Sequence, residues 1–166
     1  GLRPAALVGQ EKLQVAYTAY QQQLQAYQAC DYDDILLDCL TWLDTNGATA
    51  TQVRQHFPYV LVDEFQDVNA VQYRLVKLLA GDGQGLFVIG DPDQAIYGFR
   101  GADSQYFRAL TQEFPQARLV QLATNYRSTQ TIVRAADMVI AHNSDRQPLH
   151  LQATGDVGPP LRLYTT

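Results

Sequence analysis

The sequence has few cysteines and no long apolar run. Only Cys30 and Cys39 occur among its 166 residues; two are too few for a disulfide scaffold, and their spacing matches no metal-ligand pattern. We therefore expect two buried free thiols in a reducing cytosol. No apolar run approaches the length of a membrane span, and no charged-then-apolar leader is seen. These absences predict a cytoplasmic protein with no membrane partner.

Basic residues are also scarce. The chain carries 12 Lys and Arg against 17 Asp and Glu, which gives a formal net charge of −5. This balance argues against a protein that holds nucleic acid mainly by charge, because phosphate contacts need clustered cations. Binding of a single strand by base stacking in a narrow cleft stays open. The hydrophobic share of 46% is that of a globular chain that can bury a core.

A phosphate-binding loop of the form G-x-x-x-x-G-K-[ST] is absent. Three glycines, at positions 81, 83 and 85, precede a predicted strand. A phosphate-binding glycine loop instead follows a strand and opens a helix. We interpret the three glycines as a connecting turn.

Two short apolar runs each end at acidic residues. Residues 60–62 precede Asp63 and Glu64, and residues 86–89 lead through a glycine to Asp91. Such runs are typical of buried parallel strands, whose carboxyl ends share the edge where open α/β sheets bind ligands. A predicted helix between them completes a βαβ-like unit. We expect both strand ends to open on one cleft.

Helical periodicity accounts for much of the remaining chain. A stripe of apolar side chains on the first predicted helix favours core or interdomain packing. Further signals include Asp31 or Asp33 as the cap of the second helix, Asn69 as the cap of the fourth and Ser128 as the cap of the last. Helices are predicted over 10–29, 31–43, 51–57, 70–79, 104–114 and 128–142, with a further strand over 118–122.

The residues at the strand ends suggest phosphate chemistry. We expect Asp63 and Glu64 to lie next to each other on a strand, with their side chains pointing to opposite faces, so that one can hold Mg²⁺ and the other can activate a water. Gln94 follows the second strand, and its amide can position a phosphate oxygen and a water together. A simple acidic turn after a strand is the alternative for the two carboxylates.

An aromatic and cationic cluster comes next along the chain. Tyr97, Phe99 and Arg100 combine ring faces with a positive charge, as a platform for nucleobases would. The alternative is the edge of a core with a solvated arginine.

Three segments together resemble one known family. They are D-E-F-Q-D at 63–67, G-D-P-D-Q-A-I-Y-G-F-R-G-A at 90–102 and L-A-T-N-Y-R-S-T at 122–129. Their order and spacing are similar to those of the UvrD/Rep/PcrA family of superfamily 1 DNA helicases. The resemblance extends over at least residues 31–143.

The resemblance implies an α/β fold of the P-loop NTPase (RecA-like) class. We expect a partial parallel sheet flanked by helices, with an N-terminal helical segment at 1–30 that returns from an insertion subdomain. Residues 31–114 would form part of the first RecA-like ATPase domain, and residues 115–166 the start of the second. The phosphate loop and the later helicase motifs are expected outside this chain. Without the phosphate-loop strand, the strand at 86–89 would expose an edge through which an isolated fragment dimerises.

The resemblance also implies ATP and Mg²⁺ as cofactors and assigns roles in binding them. Asp63 is expected as the Mg²⁺ ligand of a Walker B motif, Glu64 as the base for the attacking water and Gln94 as the γ-phosphate sensor. Tyr126 is similar to the aromatic residue that stacks on adenine. Arg127 is similar to the arginine that reaches the γ-phosphate from the second domain.

The implied partners are single-stranded DNA and duplex junctions. Tyr97, Phe99 and Arg100 match positions that contact the single strand, and Phe99 stands where several family members carry tryptophan. The sequence thus predicts the central segment of an ATP-dependent 3′–5′ DNA helicase or translocase, inactive in isolation. The alternatives are a helicase-derived binding module without a phosphate loop and a subunit of a helicase–nuclease.

Overall fold

Short helices and two small parallel sheets make up the structure. The computed structural model describes residues 11–103, 105–143 and 149–164, with the side chain of Arg100 outside the described part. The helices are α1 (Glu11–Ala26), α2 (Tyr32–Thr45), α3 (Gly47–His56), α4 (Ala70–Ala80), α5 (Gln105–Glu113) and α6 (Gln130–Ile140). The strands are β1 (Val60–Val62), β2 (Leu86–Val88), β3 (Thr124–Asn125) and β4 (Gln152–Ala153). Single 3₁₀ turns lie at Phe65–Asp67, Pro92–Gln94 and Gly98–Arg100.

The predicted pairing of the two acid-tipped strands is confirmed. β1 and β2 are parallel, with Val60 opposite Leu86 and Val62 opposite Val88. The ladder continues past the strands, because the Ile89 N–H donates to the Val62 carbonyl at 2.8 Å and the Phe65 N–H donates to the Ile89 carbonyl at 3.0 Å. The carboxyl ends of both strands therefore meet at one edge. Within the described residues β2 pairs only with β1, and pairing of its other edge with a second chain stays a prediction.

Capping residues set the starts of α2 and α4, as predicted. Asp31 accepts a hydrogen bond from the Asp34 N–H at 2.8 Å, and the Asp34 carboxylate accepts one from the Asp31 N–H. The Asp34 N–H and the Tyr20 hydroxyl, which donates at 2.9 Å, both lower the pKa of Asp31. Asn69 caps α4 in the same reciprocal way with Gln72. These local bonds satisfy backbone donors that a helix start leaves unpaired.

A buried hydrophobic cluster lies between the ends of β1 and β2 and the helices α4 and α5. Phe65 is fully buried and packs with Val68 and Tyr73. The Phe65 and Phe107 rings meet edge to face, with their centroids 5.0 Å apart. Burial, with a further contribution from the Glu113 carboxylate, raises the pKa of the Tyr73 hydroxyl to about 12. Because aromatic side chains bury large areas, this cluster anchors the turn after β1.

Several sequence predictions are wrong. Cys30 and Cys39 are free, as expected, but exposed, and α1 buries none of its side chains, so its apolar stripe is not core. No strand forms over 118–122; β3 lies two residues later and pairs in parallel with β4. The physical reason is that a strand needs a ladder partner, and the described chain supplies one only at β4.

The boundaries of two predicted helices also differ. The helix predicted at 51–57 starts earlier, at Gly47, directly after the cap region of α2. The last helix has Thr129 rather than Ser128 at its N-cap position, without a side-chain capping bond, and ends at Ile140. Its first N–H groups are instead satisfied by a distant segment, because the Gln130 and Thr131 N–H groups donate to the Asp156 and Val157 carbonyls at 3.0 and 3.1 Å. None of the described helices has the length and apolar character needed to cross a membrane.

We predict that Asn69→Ala lowers the free energy of unfolding by about 1 kcal/mol, because two N–H groups at the start of α4 lose their acceptor. Urea unfolding measures this. Asn69→Asp is the matched control, since an aspartate caps equally well and should leave the midpoint nearly unchanged. Equal midpoints for the alanine and aspartate variants would show that the cap contributes nothing.

Candidate active site

The two predicted carboxylates lie in a sharp turn rather than on a strand. β1 ends at Val62, and Glu64 adopts a left-handed conformation with φ 50° and ψ 45°. The prediction that Asp63 and Glu64 lie on a strand is therefore wrong, since β1 stops before them. The Asp63 carboxylate accepts the Glu64 N–H at 2.9 Å and closes the turn.

The conformation of Glu64 is uncommon. Gln28 is the only other non-glycine residue with a positive φ in the described part of the chain. Left-handed backbone costs energy for a residue with a Cβ and is concentrated at functional sites. Here the packing of Phe65 holds the turn in place, and the residue in the uncommon conformation is the one that the sequence predicted as the base.

A buried glutamine joins the turn after β1 to the turn after β2. Gln66 is 3% exposed; its amide nitrogen donates to the Glu64 carboxylate at 2.7 Å, and its amide oxygen accepts the Asp91 N–H at 3.0 Å. A single side chain thus contacts both strand ends. This bridge brings Glu64 and Asp91 to the same small region.

Gly90 makes that approach possible. A Cβ atom at this position would lie 2.8 Å from the Gln66 amide oxygen, 2.9 Å from the Phe65 backbone nitrogen and 2.7 Å from the Phe107 ring. Two of these three neighbours are buried parts of the same cluster, and none is free to move away without loss of packing. The absence of a side chain is therefore a condition for the bridge.

Gln94 is held beside Asp91. The Gln94 amide nitrogen donates to one Asp91 carboxylate oxygen at 2.7 Å, while the other oxygen accepts the Asp93 N–H at 3.0 Å and caps the 3₁₀ turn Pro92–Gln94. Gln94 itself is exposed. Its second amide hydrogen and its amide oxygen remain to contact a ligand.

The aromatic residues of the predicted DNA platform lie together. The Tyr97 and Phe99 rings are 5.8 Å apart at an angle of 51°, and Phe99 is 79% exposed on the turn Gly98–Arg100. Arg100 ends that turn, but its side chain lies outside the described residues. Two neighbouring exposed rings provide a surface on which bases can stack.

Tyr126 and Arg127 lie on a different turn from Asp63, Glu64 and Gln94, after β3 of the second sheet. Both follow β3 and are exposed, with Tyr126 at 81%. The Arg127 N–H donates to the Asn125 side chain at 3.0 Å. Within the described ranges, neither residue forms a hydrogen bond or ion pair with Asp63, Glu64 or Gln94. Hydrogen bonds through Gln66 and Asp91 therefore link the first three predicted site residues, and none of the described bonds links them to the last two.

Asp63 is the residue that the sequence predicted as a ligand of Mg²⁺. The described residues contain no group of three or more side chains that could hold a metal ion. Mg²⁺ is usually bound through one or two carboxylates together with substrate phosphates, rather than in an all-protein cage. An exposed Asp63 with one oxygen outside the turn hydrogen bond fits that mode.

The sequence analysis did not predict the bridging role of Gln66, or the hydrogen bonds by which Asp91 holds Gln94 and contacts Gln66. The signals were present in the sequence: a neutral amide comes shortly after two acids in the first segment, and a glycine immediately precedes the acid of the second. A glycine at a strand end indicates close backbone approach. What it approaches is not visible in the sequence.

Comparison with known proteins agrees with this arrangement of motifs. The family described as the UvrD/REP helicase N-terminal domain matches residues 4–115. The chain is 41% identical over 148 residues to the ATP-dependent DNA helicase PcrA of Staphylococcus epidermidis, and 40% identical over the same length to that of Staphylococcus aureus. These matches cover 89% of this chain and 20% of each relative.

The chain thus spans about a fifth of the length of the relatives it matches. Within that span the family match includes β1, β2 and the turns that carry Glu64, Gln66 and Gln94. On this match the chain belongs to the UvrD/Rep helicase family, whose N-terminal domain has a P-loop NTPase fold.

Proposed function

We propose that this chain forms the nucleotide-hydrolysis and DNA-contact centre of an ATP-dependent 3′–5′ DNA helicase. The observation that carries the proposal is the meeting of Asp63, Glu64 and Gln94 at the joined ends of β1 and β2. The relatives are named as ATP-dependent DNA helicases, and the match includes all three residues. In this proposal the pair β1–β2 belongs to a larger RecA-like sheet.

Glu64 is the proposed base. One of its carboxylate oxygens is held by the Gln66 amide at 2.7 Å, which leaves the other to accept a proton from the attacking water. Gln94 lies at the end of the neighbouring strand, where its remaining amide hydrogen can donate to a γ-phosphate oxygen and its amide oxygen can orient the water. Both groups are exposed at the edge where a nucleotide would bind.

Asp63 is the proposed holder of Mg²⁺, which would arrive with the ATP phosphates. When bound, the ion neutralises charge that develops on the phosphates. Asp63 contributes an oxygen ligand and, through its bond to the Glu64 N–H, holds the turn that carries the base.

The other two nucleotide contacts belong to the second part of the chain. We propose that residues 1–30 return from an insertion, that 31–114 belong to the first RecA-like domain and that 115–166 begin the second. The separate β3–β4 sheet supports the last division. Tyr126 would stack on adenine and Arg127 would reach the γ-phosphate when the two domains close. This explains why the two residues are exposed at the tip of their own turn.

DNA contact is proposed for the turn after Gln94. Tyr97, Phe99 and Arg100 come within six residues of the phosphate sensor, so a base stacked there is mechanically close to the nucleotide. Retention of Glu64, Gln94 and Arg127 favours a hydrolysing motor over a binding module without a phosphate loop, because simple binding needs neither a base nor a sensor.

We predict that Glu64→Gln in the full-length protein lowers the ATP turnover rate by roughly 10²- to 10⁴-fold, the range for loss of a general base. Binding of a fluorescent ATP analogue should stay within a factor of about two, since the isosteric amide keeps the shape of the turn. The control is Glu11→Gln on exposed α1. Near-normal turnover in Glu64→Gln would refute the assignment of the base.

We predict that Phe99→Ala weakens binding of single-stranded DNA by roughly 5- to 150-fold, because loss of one stacking ring costs about 1–3 kcal/mol. The DNA-free ATPase rate should change little. Phe57→Ala is the matched control, as this exposed phenylalanine precedes β1 at the opposite end of the strand. Fluorescence anisotropy with a labelled oligonucleotide measures the DNA affinity of both variants. Equal losses of affinity in Phe99→Ala and Phe57→Ala would remove the DNA role of Phe99.

A further inference from the structure

Gln66 has surroundings that a surface turn residue does not need. It is the one polar or charged residue that is fully buried in the described part of the chain, next to Phe65, whose side chain has no exposure at all. An amide that is buried without partners is costly, and this one has a partner at each end. A turn alone could be closed by the Asp63 carboxylate, which already accepts the Glu64 N–H.

Chemistry fixes the orientation of the Gln66 amide. The Asp91 backbone N–H can only donate, so the group that faces it at 3.0 Å must be the amide oxygen. The amide nitrogen must then face Glu64, where a carboxylate oxygen at 2.7 Å can only accept. No other assignment satisfies both partners. The bridge therefore has a direction, from the Asp91 backbone through Gln66 to the carboxylate of Glu64.

The bridge fixes two functional groups with respect to each other. On one side it restrains the exposed, otherwise rotatable Glu64 carboxylate by one oxygen and leaves the second oxygen available. On the other side it holds the backbone of Asp91, whose carboxylate accepts the amide of Gln94 at 2.7 Å. A shift of Gln66 would change the separation of Glu64 and Gln94.

We infer that Gln66 is a positioning residue that sets the proposed base Glu64 against the proposed γ-phosphate sensor Gln94. This inference rests on the proposed hydrolytic function, because Gln66 touches neither nucleotide nor DNA and acts only through its two partners. It explains why a neutral amide, rather than an apolar side chain of the same size, is buried beside Phe65. It also explains the need for Gly90, which leaves room for the amide oxygen.

The test uses Gln66→Met in the full-length protein. Methionine keeps the length and volume of the side chain but removes both hydrogen bonds. The value of kcat for ATP should fall by roughly 10- to 100-fold, as misplacement of a catalytic group by about 1 Å can cost. KM and binding of an ATP analogue should stay within a factor of about three, since no nucleotide contact is lost. Gln84→Met, on the exposed turn before β2, is the matched control and should match the wild type.

A double-mutant cycle with Glu64→Gln separates positioning from general damage. If Gln66 acts through Glu64, adding Gln66→Met to Glu64→Gln should lower single-turnover hydrolysis by less than about threefold, far below its effect in the wild type. Full additivity of the two substitutions would overturn the inference. Unchanged kcat in Gln66→Met alone would overturn it as well.

A second variant keeps the test decisive if Gln66→Met does not fold. Gln66→Glu retains the volume and an acceptor for the Asp91 N–H. Burial and the Glu64 charge raise the pKa of the introduced carboxyl group. Below that pKa the carboxyl group is protonated and can donate a hydrogen bond to Glu64, as the amide does. Above that pKa the carboxylate anion repels Glu64. Its kcat relative to wild type should therefore fall as pH rises, at constant nucleotide binding. A pH-independent ratio, or a fall matched by loss of binding, would overturn the inference.

The two proposals fail in different ways. Near-normal turnover in Glu64→Gln removes the proposed base and with it the basis for Gln66. Loss of turnover in Glu64→Gln together with normal kcat in both Gln66 variants leaves the proposed function intact and removes only the positioning role.

Discussion

The arrangement of the site depends on one contact, the bridge from Gln66 to the two neighbouring strand ends. β1 and β2 are only three residues long, and beyond them the ladder adds only the backbone bonds of Ile89 with Val62 and Phe65. The amide of Gln66 joins the turn after β1 to the backbone after β2, and Gly90 permits the close approach. The exposed Glu64 is followed directly by two buried residues, Phe65 and Gln66, which hold its turn against the protein core. Catalytic geometry needs such support beneath the reacting groups.

In the turn after β1, one residue adopts the strained backbone and the next residue supplies the packing that stabilises it. Glu64 takes the left-handed backbone, while Phe65 supplies burial against Val68, Tyr73 and Phe107. Strained backbone persists only where the surroundings determine it more strongly than the strain opposes it. The aromatic cluster also ties α4 to α5, with the Lys77 ammonium 2.8 Å from the Glu113 carboxylate above it. The turn that carries Glu64 therefore lies directly on the buried cluster of Phe65, Val68 and Tyr73.

The net negative charge of the chain is consistent with a proposed DNA contact through the exposed rings of Tyr97 and Phe99 rather than through clustered cations. A net charge of −5 leaves little general attraction for phosphate, so any grip on a single strand must come from local contacts. Tyr97 and Phe99 lie on a turn directly after Gln94, and only a few residues separate the proposed DNA surface from the proposed phosphate sensor. In the proposed function, this closeness along the chain would link base contact to hydrolysis.

The sequence by itself determined the local elements and their chemistry. Asp31 and Asn69 mark helix starts because their side chains cap neighbouring N–H groups, and two apolar runs ending in acids mark adjacent parallel strands. These are short-range effects, and the residues that cause them are neighbours in the chain. The family motifs likewise pointed to Asp63, Glu64 and Gln94.

Only the tertiary structure decided what those elements touch. It placed the strand of the second part at Thr124–Asn125, exposed both cysteines and turned Glu64 out of the strand. It also made Gln66 the link between residues 64 and 91, a role that depends on two segments more than 20 residues apart meeting in space. Pairing and burial of this kind are set by long-range packing, which no local pattern of residues specifies.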